Sequence, residues 1–482
     1  MKRERLLMKQ EKKNNWFFIL MLISILGFTL NITMVIHAQE LSLEEALNWG
    51  VEHNSSIKEI KANIKDIERS LDLIETEYGF KTKISANPII VGGFEKQTDD
   101  TSSTKSSSPE INLKTTKLFS NGLILQSEIS LEEEDWFNLE KLSEGPKGTF
   151  SATKTIYPTI PIETEQSKIL TCNDLLKAQK SLKWQQESKK IDFLESYLNL
   201  LRLQEKLCLA QANFQYAQDN LNRILKKIEI GEAGEREEME ARIALKTAEI
   251  NLLQAQNNFN QQKDSWYLDL NLPEGTEIPL REDSPFLEGI KKWIESLELN
   301  LENQEKLMDL VIAHHYQIKN NLLDQESAQR ELEWKSAGNK PQIELYGAYS
   351  NENNTWGIGI DLSYNISDGG KQKIEEEGCR AKLENLKDDY LQIIAELKLQ
   401  LSNLINQQEI YNLNLEEKLM SWEKAKIEEE SYRVQLQRGL LSDSEFQYKL
   451  LQSKEAEIDF KSAKDKVLIN KLRIVQFLGI GK

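Results

Sequence analysis

The chain has 482 residues, a net charge of −17, 29% charged and 8% aromatic residues, and only nine prolines and 22 glycines. That balance excludes a string of compact α/β domains and fits long helices. The acidic surface gives no electrostatic reason to bind nucleic acid. Three cysteines (Cys172, Cys208, Cys379) and four histidines (His37, His53, His314, His315) are too few and too scattered for a disulfide framework or a zinc cluster. No cofactor, metal site or catalytic residue is therefore expected, and the chain is not read as an enzyme.

Residues 1–38 read as a signal peptide. Lys2, Arg3, Arg5, Lys9, Lys12 and Lys13 precede an apolar run of 15 residues from Trp16 to Leu30, short for a membrane span, and a cleavage site follows at Val35-Ile36-His37-Ala38. An uncleaved anchor is the alternative. Removing this segment deletes six bases and two acids and leaves a charge of −21. No cysteine follows the apolar run, so no lipid attachment is expected there. No later segment is apolar enough for a transmembrane helix, so membrane entry would require a β-barrel.

Proline is absent from 162–272, 286–340 and 342–482. Because proline breaks helix interiors, these gaps mark room for long helices. Within 371–438, Leu383, Tyr390, Leu397, Leu404 and Tyr411 recur every seven residues, with Leu386, Ile393 or Ile394, and Leu401 as the companion seam. Such a seam predicts left-handed coiled-coil packing. Other stretches alternate instead. In 356–366, Ile358, Ile360, Leu362, Tyr364 and Ile366 alternate with Gly359, Asp361, Ser363 and Asn365, giving a strand with one apolar and one small polar face. Residues 342–350 form a second strand, and 84–94, 111–118, 123–131 and 149–157 are further candidates. Of these, 123–131 alternates best, with Leu123, Leu125, Ile129 and Leu131 on one face.

The chain also repeats itself. His53-Asn54-Ser55-Ser56-Ile57-Lys58 matches His314-His315-Tyr316-Gln317-Ile318-Lys319 at an offset of 261, and Gly231 matches Gly439 at 208, which brings Lys246, Ala248, Glu249 and Ile250 onto Lys454, Ala456, Glu457 and Ile458. The offsets differ by 53 residues, so the first copy carries an insertion of that size, placed at about 96–148. It includes the Ser/Thr-rich run 98–108 and a hairpin with Ser120-Asn121-Gly122 at its turn. The expected organisation is a first repeat at 39–268, a linker at 269–285 and a second repeat at 286–482. Each repeat runs helix, strands, long helix, glycine break, helix.

These segments, in this order, resemble the TolC-like outer-membrane efflux protein family. Leu41-Ser42-Leu43-Glu44-Glu45-Ala46-Leu47 with His53-Asn54 is similar to its opening, Ser367-Asp368-Gly369-Gly370 to its strand-to-helix junction, and Tyr432 through Gly439-Leu440-Leu441-Ser442 to its periplasmic tip turn. The resemblance implies an α+β fold of mainly long α-helices. It implies a homotrimer in the outer membrane, sharing one transmembrane β-barrel and one periplasmic α-barrel of coiled coils. It also implies an exit duct for efflux or type I secretion, a passive conduit opened when a periplasmic adaptor (membrane fusion) protein and an inner-membrane transporter dock. The partners would be these proteins and outer-membrane lipid, with no nucleic acid. The 12-stranded form of the family has four strands per protomer, whereas this chain offers up to six.

The first tip reads Gly231-Glu232-Ala233-Gly234-Glu235, where the family has leucine after the glycine, and Leu441 stands where some relatives place an arginine. Gly231 and Gly439 serve equally as helix C-caps. Six positions after each comes an acid, Glu237 and Glu445. These are either solvated helix residues or, in a trimer, rings of carboxylates at a narrow aperture that favour cations. Asp368-Gly369-Gly370 reads as a turn and helix entry, His314-His315 as surface residues, and Glu132-Glu133-Glu134-Asp135 as a solvated loop at a barrel rim. The alternative to a channel is an exported coiled-coil scaffold or adaptor with a small β-domain. In that case the strands would bury their apolar face in a core.

Overall fold

A computed structural model describes residues 41–87, 110–132, 147–273, 275–297, 301–352 and 354–480. The leader and its cleavage site at Ala38, the Ser/Thr run 98–108 and the acidic residues 133–135 lie outside the described residues. The elements run α1 (Leu43–His53), α2 (Ser55–Thr76), β1 (Phe80–Asn87), β2 (Glu110–Leu118), β3 (Leu123–Glu132), β4 (Lys147–Tyr157), α3 (Glu163–Glu229) and α4 (Glu235–Leu270), then α5 (Pro285–Ser296), α6 (Gln304–His314), α7 (Tyr316–Ala337), β5 (Gln342–Ser350), β6 (Thr355–Ser363), α8 (Lys371–Gln437) and α9 (Asp443–Phe477). The long helices occupy the proline-free stretches. α3 and α8 have 67 residues each, a length of about 100 Å at 1.5 Å per residue. No described helix is long and apolar enough to cross a membrane.

The repeat holds to the residue. α1 and α2 recur as α6 and α7 with all four ends displaced by 261, and α3 recurs as α8 with both ends displaced by 208. The starts of β4 and α4 recur 208 residues later as the starts of β6 and α9. The helix ends share their caps as well. Gly231 and Gly439 adopt φ of +76° and +72°, and Asn271 and Gly479, also 208 apart, adopt +50° and +68°. At each of the four ends the residue in the left-handed region donates its N–H to the carbonyl three residues back. The next residue donates to the carbonyl five residues back, as Glu232 does to Lys227 at 2.8 Å and Leu440 to Gln435 at 2.9 Å. This is the Schellman arrangement, which satisfies otherwise unpaired carbonyls.

The six strands form one antiparallel sheet in chain order, β1 to β6, with β1 and β6 as its open edges. The hairpin expected within the insertion is part of this wall. β2 pairs with β1 from Phe80↔Lys117 to Asn87↔Glu110, and β3 pairs with β4 from Leu123↔Lys154 to Ser130↔Lys147. Among the described residues the count is thus six strands per chain, not four. β6 stops at Ser363, earlier than the alternation implied, and Tyr364 and Ile366 lie in the connection to α8.

Two compact packing units exist, and they are not the two repeats. Among the described residues, one contains 41–53 together with Ser196–Trp293, and the other contains those of Asn54–Glu195 and Ile294–Lys482. In the first, Tyr197 and Trp266 are fully buried with ring centroids 5.5 Å apart. Each wholly buried apolar side chain of this size contributes about 1.5–3 kcal/mol. The expected linker is tied into this core. Tyr197 Oη bonds the carbonyls of Pro279 and Arg281 at 3.2 and 3.0 Å, and Arg202, buried, pairs with Glu205 at 2.6 Å and Glu282 at 3.1 Å. In the second unit α8 packs on α7 and α9. Leu397 and Leu401 of the predicted seam are buried with Leu307, Val311, Ile318, Ile474, Phe477 and Leu478, and Tyr390, Ile393, Ile394 and Leu404 cover that core.

His315 departs from the reading of a surface residue. It is 2% exposed, edge-on to Trp184 at 4.4 Å and 5.1 Å from Phe477. It caps α7, its Nδ1 accepting the Gln317 N–H at 3.4 Å, as Asn54, 261 residues earlier, caps α2 through the Ser56 N–H at 3.0 Å. Burial in an aromatic nest pushes its pKa down to about 4.

Candidate conduit surfaces and helix reversals

The sheet register divides the strand residues between two faces. One face carries Phe80 and Ile84 of β1, Ile111 and Leu113 of β2, Leu123, Leu125 and Ile129 of β3, Phe150 and Ala152 of β4, Ile343, Leu345 and Tyr349 of β5, and Trp356, Ile358, Ile360 and Leu362 of β6, with Lys117 of β2 and Lys154 of β4 as its charged members. The other carries Lys81, Lys83, Asn112, Lys114, Thr116, Gln126, Glu128, Thr149, Ser151, Thr153, Thr155, Glu344, Gly357, Gly359 and Asp361. The apolar face does not pack a core. Trp356, Ile358, Ile360 and Leu362 are 76%, 74%, 70% and 68% exposed, and Phe80 and Ile84 on the opposite edge strand are similarly open. Alternation of this kind with the apolar side unpartnered is the signature of a wall between lipid and water. On the polar face the Tyr346 ring lies over Gly359, directly opposite it, where a Cβ would fall 2.4 Å from the ring. The ring occupies the space a side chain would take, so any larger residue at 359 would have to displace it.

The strand-to-helix junction is built from Asp368, Gly369 and Gly370. The glycines take φ of +72° and +88°, and Asp368 accepts the Gly370 N–H at 2.9 Å and the Gln372 N–H at 2.7 Å. These backbone donors, Gln372 first, hold the Asp368 carboxyl below its ordinary pKa. The carboxylate sits at the N-terminus of α8, where the helix dipole favours it.

At the reversal between α3 and α4, Gly231 is open to solvent with nothing near its missing Cβ. Glu237 turns its carboxylate back to the N–H of Gly234, the N-cap of α4, at 2.6 Å. At the reversal between α8 and α9, Gly439 is equally open and Leu440 is exposed. Ser442 caps α9, accepting the Glu445 N–H at 3.2 Å, while the Glu445 carboxylate accepts from Ser442 N and Oγ at 3.0 and 2.7 Å. This is a complete capping box; at Gly234, without a side chain, only the return bond exists. Both glutamates remain exposed. Leu441 is half-buried beside Ser442. The two reversals belong to different packing units.

Two exposed rows, one in each packing unit, were not read from the sequence. On α8, Leu413, Met420, Ile427 and Val434 recur every seven residues and all are exposed. On α4, Met239, Ile243, Ile250 and Leu253 form another exposed row at helical spacing. The signal was present in the spacing, but one chain gives these rows no partner. Among the described residues no three His, Cys, Asp or Glu side chains gather into a metal-binding cluster, and Cys172, Cys208 and Cys379 are separate free thiols.

The described elements thus combine a sheet with an exposed apolar face and, twice, a strand leading into a 67-residue helix that ends in a capped reversal. No protein-family model and no curated protein sequence matches the chain. Solved structures match its fold. The CmeC outer membrane channel of Campylobacter jejuni is 11% identical over 91% of this chain and 85% of its own, with a TM-score of 0.58. The outer membrane protein VceC of Vibrio cholerae is 12% identical over 91% and 96%, with a TM-score of 0.56. The open-state MtrE outer membrane channel of Neisseria gonorrhoeae is 13% identical over 91% and 88%, with a TM-score of 0.57. At this identity the likeness is one of fold.

Proposed function

We propose that the protein is an outer-membrane exit duct for efflux or type I secretion, working as a homotrimer. The observation that carries this reading is the sheet: an exposed apolar face, a polar opposite face and two open edges. Open edges and unpaired backbone groups are not tolerated in hydrocarbon, so the edges must be closed by further copies. Three copies of six strands would give eighteen, a size that leaves an aqueous lumen. The exposed heptad row on α8 and the row on α4 supply the surfaces by which helices of neighbouring copies would pack into a periplasmic tube. The fold shared with outer membrane channels supports the same location.

The conduit is passive in this reading. Energy comes from an inner-membrane transporter, coupled through a periplasmic adaptor that docks on the helices. The turns at Gly231 and at Gly439, Leu440, Leu441 and Ser442 form the periplasmic tip, and Glu237 and Glu445 line its aperture as acidic rings. The test is direct. Detergent-extracted protein imaged as single particles should show a threefold tube, and planar bilayers should show water-filled conductance. A protein that stays monomeric and soluble without detergent would overturn the reading.

A further inference from the structure

The two open edges of the sheet carry opposite charge on their polar faces. On β1, Lys81 and Lys83 share that face, and Lys83 stands directly opposite Lys114 of β2. On β6, Asp361 stands directly opposite Glu344 of β5. Like charges opposed across a ladder disfavour the pairing, so the chain holds one basic and one acidic pair, each against an open edge. The neighbours relieve them only in part. Lys114 has Glu128 on its other side, Lys81 pairs with Glu77, and Glu344 accepts from Thr155 Oγ1 at 3.2 Å and Gln342 Nε2 at 2.6 Å. Among the described residues neither Lys83 nor Asp361 forms an ion pair, and both are exposed.

Geometry restricts how these edges can meet. With six antiparallel strands, β1 and β6 run in opposite directions, so a β6 edge would add antiparallel to the β1 edge of another copy. β1 has eight residues and β6 nine. A ladder using all eight places Phe80 opposite Leu362 or opposite Ser363. A one-residue slip exchanges the faces, and only the first choice keeps apolar residues on the apolar side. In that register Lys81 lies opposite Asp361, Lys83 opposite Gly359, and Ile84 opposite Ile358. Gly357 carries no side chain and has nothing near its missing Cβ, which leaves room for Ser85, while Lys83 meets the face where the Tyr346 ring covers Gly359.

We propose that the β1 edge of one copy pairs with the β6 edge of a second copy of this chain in this register. Lys81 then bonds Asp361 across the seam and Lys83 offsets the Glu344–Asp361 acidic pair. The inference rests on the shared-barrel reading and adds its contact residues and register. The test uses the full chain with Cys172, Cys208 and Cys379 replaced by serine. Lys81→Cys combined with Asp361→Cys, oxidised in membranes, should give covalent dimers and trimers on denaturing gels. The pair Lys83→Cys with Asp361→Cys, two residues out of register, should give at least tenfold less. In a charge series, Asp361→Lys should lower the yield of assembled protein at least fivefold, and adding Lys81→Glu should restore it to within twofold of wild type. Preferential cross-linking of the shifted pair, or no rescue by the swapped charges, overturns the proposal. A threefold particle without these cross-links means the seam is wrong while the channel stands; a monomeric wild type means the barrel reading has failed, and the seam with it.

Discussion

Asn470 of α9 donates its side-chain amide to Oε1 of Gln408 on α8 at 3.0 Å, in a contact almost sealed from water, with Gln408 1% and Asn470 5% exposed. The same amide reaches the Leu404 carbonyl at 3.1 Å, and Gln408 Nε2 passes on to Asn412 at 2.9 Å. A closed polar network inside an apolar seam specifies which turn of one helix meets which turn of the other. Asn470→Leu leaves the buried Oε1 of Gln408 without its donor, while the Leu404 carbonyl keeps its helical partner, and should cost about 1–3 kcal/mol. Gln408→Leu with Asn470→Leu should cost less than the sum of the singles, because both polar groups leave together. Denaturant midpoints of the four proteins form the cycle, and strictly additive effects would contradict the network.

His315 gives the helical core a pH dependence of known sign. Its folded pKa is about 4, below the ordinary 6.5, so the unfolded chain binds the extra proton first. Stability from the neutral ring is complete above pH 6.5 and is lost progressively as pH falls toward 4. The full loss is about 3 kcal/mol at 1.36 kcal/mol per pH unit. His315→Asn, the residue of the other repeat at that cap, should flatten the stability profile between those pH values. An equally steep acid loss in the variant would exclude His315 as its source.

Two glycines in the same backbone region should respond differently to alanine. At Gly439, φ is +72° and nothing lies near the missing Cβ, so Gly439→Ala should cost only the left-handed penalty of about 1–2 kcal/mol. At Gly479, φ is +68° and an added Cβ would fall 2.6 Å from Cβ of His314, so Gly479→Ala adds a clash and should be clearly worse. Asparagine at 439 should be milder than alanine. Thermal unfolding followed by helical circular dichroism ranks the variants, and equal losses at both sites would refute the distinction.

The two sheet faces make opposite forecasts for the same kind of experiment. Ile360→Lys puts a charge on the apolar face of β6, where lipid exposure at mid-membrane costs about 2–4 kcal/mol. Asp361→Asn, one residue along and facing the other way, should leave membrane association intact. Sodium carbonate extraction of membranes from cells expressing each variant reads the difference. If Ile360→Lys stays membrane-bound at wild-type levels, the face is not against lipid.

Glu237→Gln with Glu445→Gln should separate capping from selectivity. Each amide still offers an oxygen to the N–H of Gly234 or Ser442, so stability should fall only by the lost charge at the helix N-terminus, about 0.3–1 kcal/mol per site. Ser442→Ala, which removes the cap itself, should cost about 1 kcal/mol. If the carboxylates ring an aperture, the double variant also loses cation selectivity and divalent-cation block in planar bilayers. Unchanged conductance ratios would leave both glutamates as caps alone.

Much of this architecture is local and legible in the amino-acid sequence alone. Proline-free stretches allow helices, seven-residue spacing dictates a buried seam through Leu397 and Leu401, and a glycine demands the left-handed cap at 231 and 439. The helix ends repeat at the same offsets of 261 and 208 that a few matched residues show, because caps and reversals are written in the few residues around them. The alternation in 356–363 likewise shows which side of β6 is apolar.

The tertiary structure decided what depends on distant partners. Nothing within 110–132 says that its hairpin stands in the sheet between β1 and β4, since a strand's neighbour is chosen by hydrogen bonds to residues far along the chain. Nor does the pair His314-His315 reveal that His315 is buried, because its cover, Trp184 and Phe477, comes from helices more than a hundred residues away. The carboxylates of Glu237 and Glu445 gain a fixed position only through the N–H groups of Gly234 and Ser442 that donate to them. The packing units cut across both repeats because contact, not periodicity, defines them. Periodicity fixes which face of an element is apolar, but long-range contact alone determines which element covers that face, and on β6 and the outer row of α8 a single chain leaves it uncovered.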